Sequence, residues 1–168
     1  MEYDHPDIFP SFEALELEFK QLIAGMPEDG LIVYNGDDPN VSKLVHESNI
    51  SSASFGLENS ADFEVISIGY KTNYTDLAIR NKFSKDVLST LTGQGENYKI
   101  QLPGKINVYN ALAAVAVLRV LGFGREQLAL VRLKVCGSNT AQILASGYFS
   151  RAASRVSLVN LWRHYEGK

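Results

Sequence analysis

The stretch GLIVYNGDDPN, residues 30–40, decides the fold. Leu31 to Tyr34 is a short apolar run with adjacent β-branched residues and no polar alternation, the pattern of a strand covered on both faces in a parallel sheet. Asp37-Asp38-Pro39 then breaks the strand and prepares a helix. Asp38 is placed to cap the first turn, and Pro39 sits at the first helical position, where its missing N–H costs nothing. Strand, tight turn and helix in this order make half of a βα repeat, so the reading predicts an α/β fold.

Working outward, the preceding segment SFEALELEFKQLIAG (residues 11–25) predicts a helix. Phe12, Leu15, Phe19, Leu22 and Ile23 recur at helical spacing, and Glu13, Glu16, Glu18 and Lys20 take the other faces. Ser11 caps its start, and Gly25 with Pro27 ends it. Downstream, a short helix is predicted around Val41 to His46 and a strand around Phe55. Residues 62–102 change texture: DFEVISIGYK, TDLAIRNKF and ENYKIQLPG alternate and are separated by Asn, Gly and Asp, as in a small antiparallel meander. INVYNALAAVAVLRVLGFG follows (residues 106–124). From Ala111 to Leu121 it is apolar on nearly every side, with Arg119 its one charge, so a deeply buried helix ended by Gly122 is predicted. GREQLALVRL predicts one more helix. After Leu130 only Ile143-Leu144 and Val156 to Val159 have strand character. The predicted class is α/β, a mainly parallel sheet flanked by helices with a small antiparallel β annex.

A chain of 168 residues with 45% hydrophobic and 21% charged residues can fill one core. The net charge of −3 and the absence of a basic stripe argue against nucleic acid or an anionic membrane as partner. The single Cys136 forms no internal disulfide, no leader-like segment opens the chain, and no apolar run reaches the roughly 20 residues a membrane span needs. A cytoplasmic protein is the expectation.

Chemistry concentrates in few places. Glu2, Asp4, His5 and Asp7 set three carboxylates and an imidazole within six residues, groups that suit Mg²⁺. Local geometry lets at most one or two reach a single ion, and a solvated turn before the first helix is the competing reading. Asn107 and Asn110 lie three apart at the start of the apolar helix, on one face. A carboxamide offers donor and acceptor together, which suits an adenine edge; helix capping is the alternative that spacing alone favours. Gly104-Lys105 is not a phosphate loop, which requires Gly-x₄-Gly-Lys-Ser/Thr. TGQGEN (residues 92–97) reads as a turn, and His46, His164 and Cys136 stand without a catalytic neighbourhood.

EYDHPDIFPSFEALELEFKQLI (residues 2–23), GLIVYNGDDPN, and LPGKINVYNALAAVAVLRVLGF (residues 102–123), in this order with a meander between, resemble the central domain of the Mur ligases. The likeness runs from Glu2 to about Leu128. It implies an ATP-dependent ligase that joins an amino acid or peptide to a UDP-N-acetylmuramate-type substrate in peptidoglycan synthesis or recycling. The implied route is an acyl phosphate displaced by an amine, with ATP and magnesium as cofactors. By position in the family's motifs, His5 is implied as a Mg²⁺ ligand and Asn107 and Asn110 as the adenine-contacting pair. Lys20 is implied as the carbamylated lysine, although in another register that position falls on Glu16.

The resemblance also has gaps. The family's phosphate-loop strand and helix precede the Asp-His element, and Met1 stands there instead. Ile106 replaces the usual His, and VCGSNTAQ and VNLWRHYEGK replace later motifs, leaving Gly137 without an arginine pair. The expectation is a partial central domain over residues 1–128, a degenerate tail over 129–168, and no ligation by this chain alone. Alternatives are a non-catalytic paralogue, one piece of a split ligase partnered by a separate phosphate-loop polypeptide, or a folylpolyglutamate-synthase-like enzyme. A lost strand would leave a sheet edge open to self-association.

Overall fold

The computed structural model describes residues 9–58, 60–83, 95–101, 103–124 and 128, and the backbone of 133–136, 140–143 and 156–159. Its helices are α1 (Phe12–Ala24), α2 (Pro39–Glu47) and α3 (Lys105–Val120). Its strands are β1 (Leu31–Asn35), β2 (Ser51–Gly56), β3 (Phe63–Tyr70), β4 (Thr75–Asn81), β5 (Glu96–Ile100), β6 (Leu133–Cys136), β7 (Thr140–Ile143) and β8 (Val156–Val159).

Six strands form one sheet in the order β5-β4-β3-β2-β1-β8. β8, β1, β2 and β3 run parallel, and β3, β4 and β5 antiparallel. The meander is therefore a continuation of the parallel sheet, with β3 paired in both modes and a register break between Val65 and Ser67. β6 and β7 pair separately as a hairpin. The side of β1 away from β2 is not open, because β8 lies along it with Val33 opposite Leu158.

Alternation along the strands sorts the core into two layers. Ile32 and Tyr34 face α1 and α2, where they meet Ile23, Val41, Leu44 and Val45. Val33, Ala53, Phe55, Phe63, Leu77 and Ile79 face α3. Phe55 and Phe63 are fully buried, and each side chain contributes on the order of 2–3 kcal/mol by leaving water. α3 lays Ala111, Leu112, Ala113, Ala116 and Val117 against this layer, the three alanines letting helix and sheet approach closely while Leu112 fills the space between them. Beyond β2, among the described residues, α3 covers one face of the sheet and no helix covers the other. β4 alternates buried Thr75, Leu77, Ile79 and Asn81 with exposed or half-exposed Asp76, Ala78 and Arg80, as expected of an antiparallel sheet with one wet face.

The caps follow the sequence. Ser11 Oγ accepts from Ala14 N at 3.2 Å, and Asp38 Oδ1 accepts from Asn40 N and Val41 N at 2.9 and 3.1 Å. α3 ends one residue before Leu121, with Gly122 at φ +88°. Of the helix predicted in GREQLALVRL, Leu128 is helical and buried, Leu133 already belongs to β6, and most of the rest lies outside the described residues. Val156–Val159 is the strand predicted there, and Ile143 ends β7.

Candidate functional site

Asn35 ends β1 and Asp37 and Asp38 follow it, and Leu57 and Glu58 follow the carboxyl end of β2. The first turn of α3 arrives at the same corner. Gly104 begins it at φ +108°, a conformation that a side chain would strain. Among the described residues no side chain caps this helix. Asn107 is therefore not a cap for the helix N–H groups; its Nδ2 donates backwards to Pro103 O at 2.7 Å.

Asn110, one turn further on, is 4% exposed, and its Nδ2 is buried without a hydrogen-bond partner among the described residues. An unsatisfied buried amide costs about 1–3 kcal/mol, so the Asn110 Nδ2 donor is an energetic exception in this helix. The two carboxamides thus occupy one face of one helix end, and one of them is unspent.

The corner is held by Asp37. Its carboxylate accepts from Leu57 N at 2.5 Å, from Glu58 N at 3.2 Å and from the Tyr109 hydroxyl at 2.8 Å. A Cβ on Gly56 would lie 2.7 Å from Asp37 Oδ1, so this close approach requires glycine. Asn35 Oδ1 accepts from Asp37 N at 3.0 Å, which fixes the turn. Glu58 returns to the helix through Lys105, at 2.5 Å, and the Lys105 ammonium stands 6.0 Å over the Tyr109 ring. Sequence reading missed Asp37. The available signal was the doublet Asp37-Asp38, of which only one can cap α2.

Of the other candidates, Lys20 lies elsewhere. Lys20 bonds Glu16 at 2.7 Å, so the two alternative registers of the resemblance hold each other. That pair sits on α1, on the opposite face of the sheet from α3. Lys20 there lines a groove with Leu44, Glu47 and Ile50, near the amino end of β2, so the structure does not bring it to Asn107 and Asn110. Hydrogen bonding to Glu16 raises the pKa of Lys20 and keeps it an ammonium. His5, Glu2, Asp4 and Asp7 lie outside the described residues, as does His164. Among the described residues no three His, Cys, Asp or Glu side chains gather as a metal site. His46, itself exposed, meets the Tyr34 ring edge-on with centroids 6.3 Å apart. Burial raises the Tyr34 pKa, and the Asp62 charge adds to this.

These features define an α/β domain whose polar groups gather beyond the carboxyl ends of parallel strands, where such sheets take their ligands. The chain belongs to the Mur ligase family: the model for the Mur ligase middle domain matches residues 1–118. It is 31% identical over 137 residues to UDP-N-acetylmuramate--L-alanine ligase of Syntrophotalea carbinolica, covering 80% of this chain and 27% of that protein. It is 32% identical over 139 residues to the same enzyme of Dinoroseobacter shibae, covering 81% of this chain and 28% of the relative. Its fold is similar to that of UDP-N-acetylmuramate:L-alanyl-gamma-D-glutamyl-meso-diaminopimelate ligase from Neisseria meningitides. That match has a TM-score of 0.55 and 25% identity, and covers 74% of this chain and 34% of the other. The chain thus spans little more than a quarter of the length of these L-alanine ligase relatives. No helix of the described residues is long and apolar enough to cross a membrane.

Proposed function

We propose that this chain supplies the adenine-facing part of an ATP-dependent ligase that joins an amino acid or peptide to a UDP-N-acetylmuramate-type acceptor. The observation that carries it is Asn110: a carboxamide 4% exposed, its Nδ2 unpartnered, one helical turn from Asn107 at the carboxyl ends of β1 and β2. A purine edge presents ring-nitrogen acceptors and, in adenine, an exocyclic donor, so a pair of carboxamides matches it in both directions. Family membership supports the ligase chemistry.

ATP when bound supplies the phosphoryl group that activates a carboxylate. In this chain Asn107 and Asn110 hold the base, and the Lys105 ammonium, two residues before Asn107, stands at the rim. The sequence contains no Gly-x₄-Gly-Lys-Ser/Thr element, so the phosphate grip is assigned to no residue here. His5 is assigned to Mg²⁺ by its place in the Asp-His element. Carbamylation of Lys20 needs the neutral amine, and the Glu16 pair must open first.

The test is calorimetric titration of the chain with ADP, with the Asn110→Ala variant beside it. ADP binding is expected, weakened about tenfold or more by the variant, the loss expected when one buried hydrogen bond is left unmade. Equal affinity of wild type and variant, in a variant that melts normally, would refute the assignment.

A further inference from the structure

We infer that Asp37, acting through the Tyr109 hydroxyl, is a positioning residue that sets the rotation of α3 and so aims Asn107 and Asn110. This rests on the adenine reading above.

The geometry is specific. One carboxylate, on the turn that leaves β1, accepts from two backbone N–H groups at the exit of β2 and from one hydroxyl on α3. Three separate pieces of chain are therefore pinned at one atom group. Tyr109 is the residue immediately before Asn110. A helix advances about 100° per residue, so a small turn of α3 about its axis moves Tyr109 and Asn110 together. Among the described residues, Val108, Ala111 and Leu112 seat this end of the helix on the sheet by apolar packing, and the Asp37–Tyr109 bond adds a directional tie between the helix and the strand ends. Gly104 provides no side-chain cap and Asn107 bonds Pro103 O within its own segment, so neither ties the helix to the strand ends as Tyr109 does. The Lys105–Glu58 pair is exposed and holds little by itself. Asp37 is part-buried against Gly56, and its position is in turn fixed by Asn35. The hydroxyl of Tyr109 thus serves the carboxamides and not the core, since the ring keeps its packing when the hydroxyl is removed.

Tyr109→Phe and Asp37→Ala test this against Asn110→Ala. Two readouts are taken: the ratio of ADP to GDP affinity by calorimetry, and the side-chain amide resonances of Asn110 in the nucleotide-free chain. Tyr109→Phe is expected to shift the Asn110 amide signals and to lower the ADP preference about five- to tenfold, while the melting temperature moves little. Asp37→Ala is expected to do the same with a larger loss of stability. If Tyr109→Phe leaves both the preference and the amide signals unchanged while Asn110→Ala abolishes ADP preference, the positioning role is overturned and the adenine reading stands. If the wild-type chain shows no ADP preference, the adenine reading fails and the positioning role fails with it. If the signals shift without any change in preference, Asp37 is a structural tether only, and the proposal is likewise overturned.

Discussion

Arg119 enters a helix that is otherwise apolar for most of its length, and its guanidinium has to be matched where it ends. Nη2 meets Glu96 Oε1 at 2.9 Å, with the two side chains 11% and 9% exposed, and Nη1 donates to Phe123 O at 2.9 Å. The Tyr98 hydroxyl bonds the other oxygen of Glu96. Removing one partner of a buried pair strands the other, so Arg119→Leu is expected to cost about 3–5 kcal/mol in denaturant titration. Adding Glu96→Leu should recover much of that loss. A single variant as stable as wild type would mean that Glu96 is not held by Arg119. On the open face of the sheet, Glu64 bonds Lys82 at 2.8 Å and Arg80 at 3.1 Å. Lys82 first and Arg80 second hold its carboxyl below the ordinary value of 4.5. A depressed folded-state pKa stabilises above the unfolded value and loses that contribution as pH falls through the folded one. Stability measured from pH 6 downward should therefore drop below about pH 4.5 less steeply in Glu64→Gln than in wild type. The effect is small, because the cluster is exposed to water.

Helix boundaries were legible because their determinants are local. Ser11 and Asp38-Pro39 each satisfy donors within three residues, and the structure shows those bonds. Asp38→Ala should destabilise the chain by about 1 kcal/mol, and Asp38→Ser by much less, measured as shifts in the denaturation midpoint. Strand existence was legible too, in Leu31 to Tyr34 and in Val156 to Val159. Strand partnership was not. The parallel pairing of β8 with β1 joins residues more than a hundred positions apart, and nothing in a four-residue apolar run names its neighbour. Glu96 was hidden for the opposite reason: it follows two glycines in a segment that reads as a turn, while its partner lies on α3. At the site, the two carboxamides were legible as a pair, but their states were not. One is spent on Pro103 O and the other is left open, a distinction made by burial and not by spacing. Asp37 escaped notice because its partners at 57, 58 and 109 are all distant in the chain.

At the scale of the molecule, the described residues cover the sheet on two faces where it is parallel and on one where it turns antiparallel, so its two ends differ in character. β5 closes the wet end and β8 the end next to β1. Parallel strands are stable only when flanked, and β1, buried on both faces, is ill suited to be an edge. Ending the chain at residue 150 removes β8, and light scattering should then show a larger apparent mass than for the full chain. An unchanged mass would show that β8 does not protect β1. The tethers of α3 carry a further consequence. Tyr109 is anchored at one end of the sheet and Arg119 at the other. A residue added between them would push the lower anchor about 1.5 Å along the axis and swing it about 100° around it, out of reach of its carboxylate. The helix is a spacer cut to length: its ends tolerate drift in the adjoining loops, but the span between the anchors has no freedom to grow or shrink by a single residue.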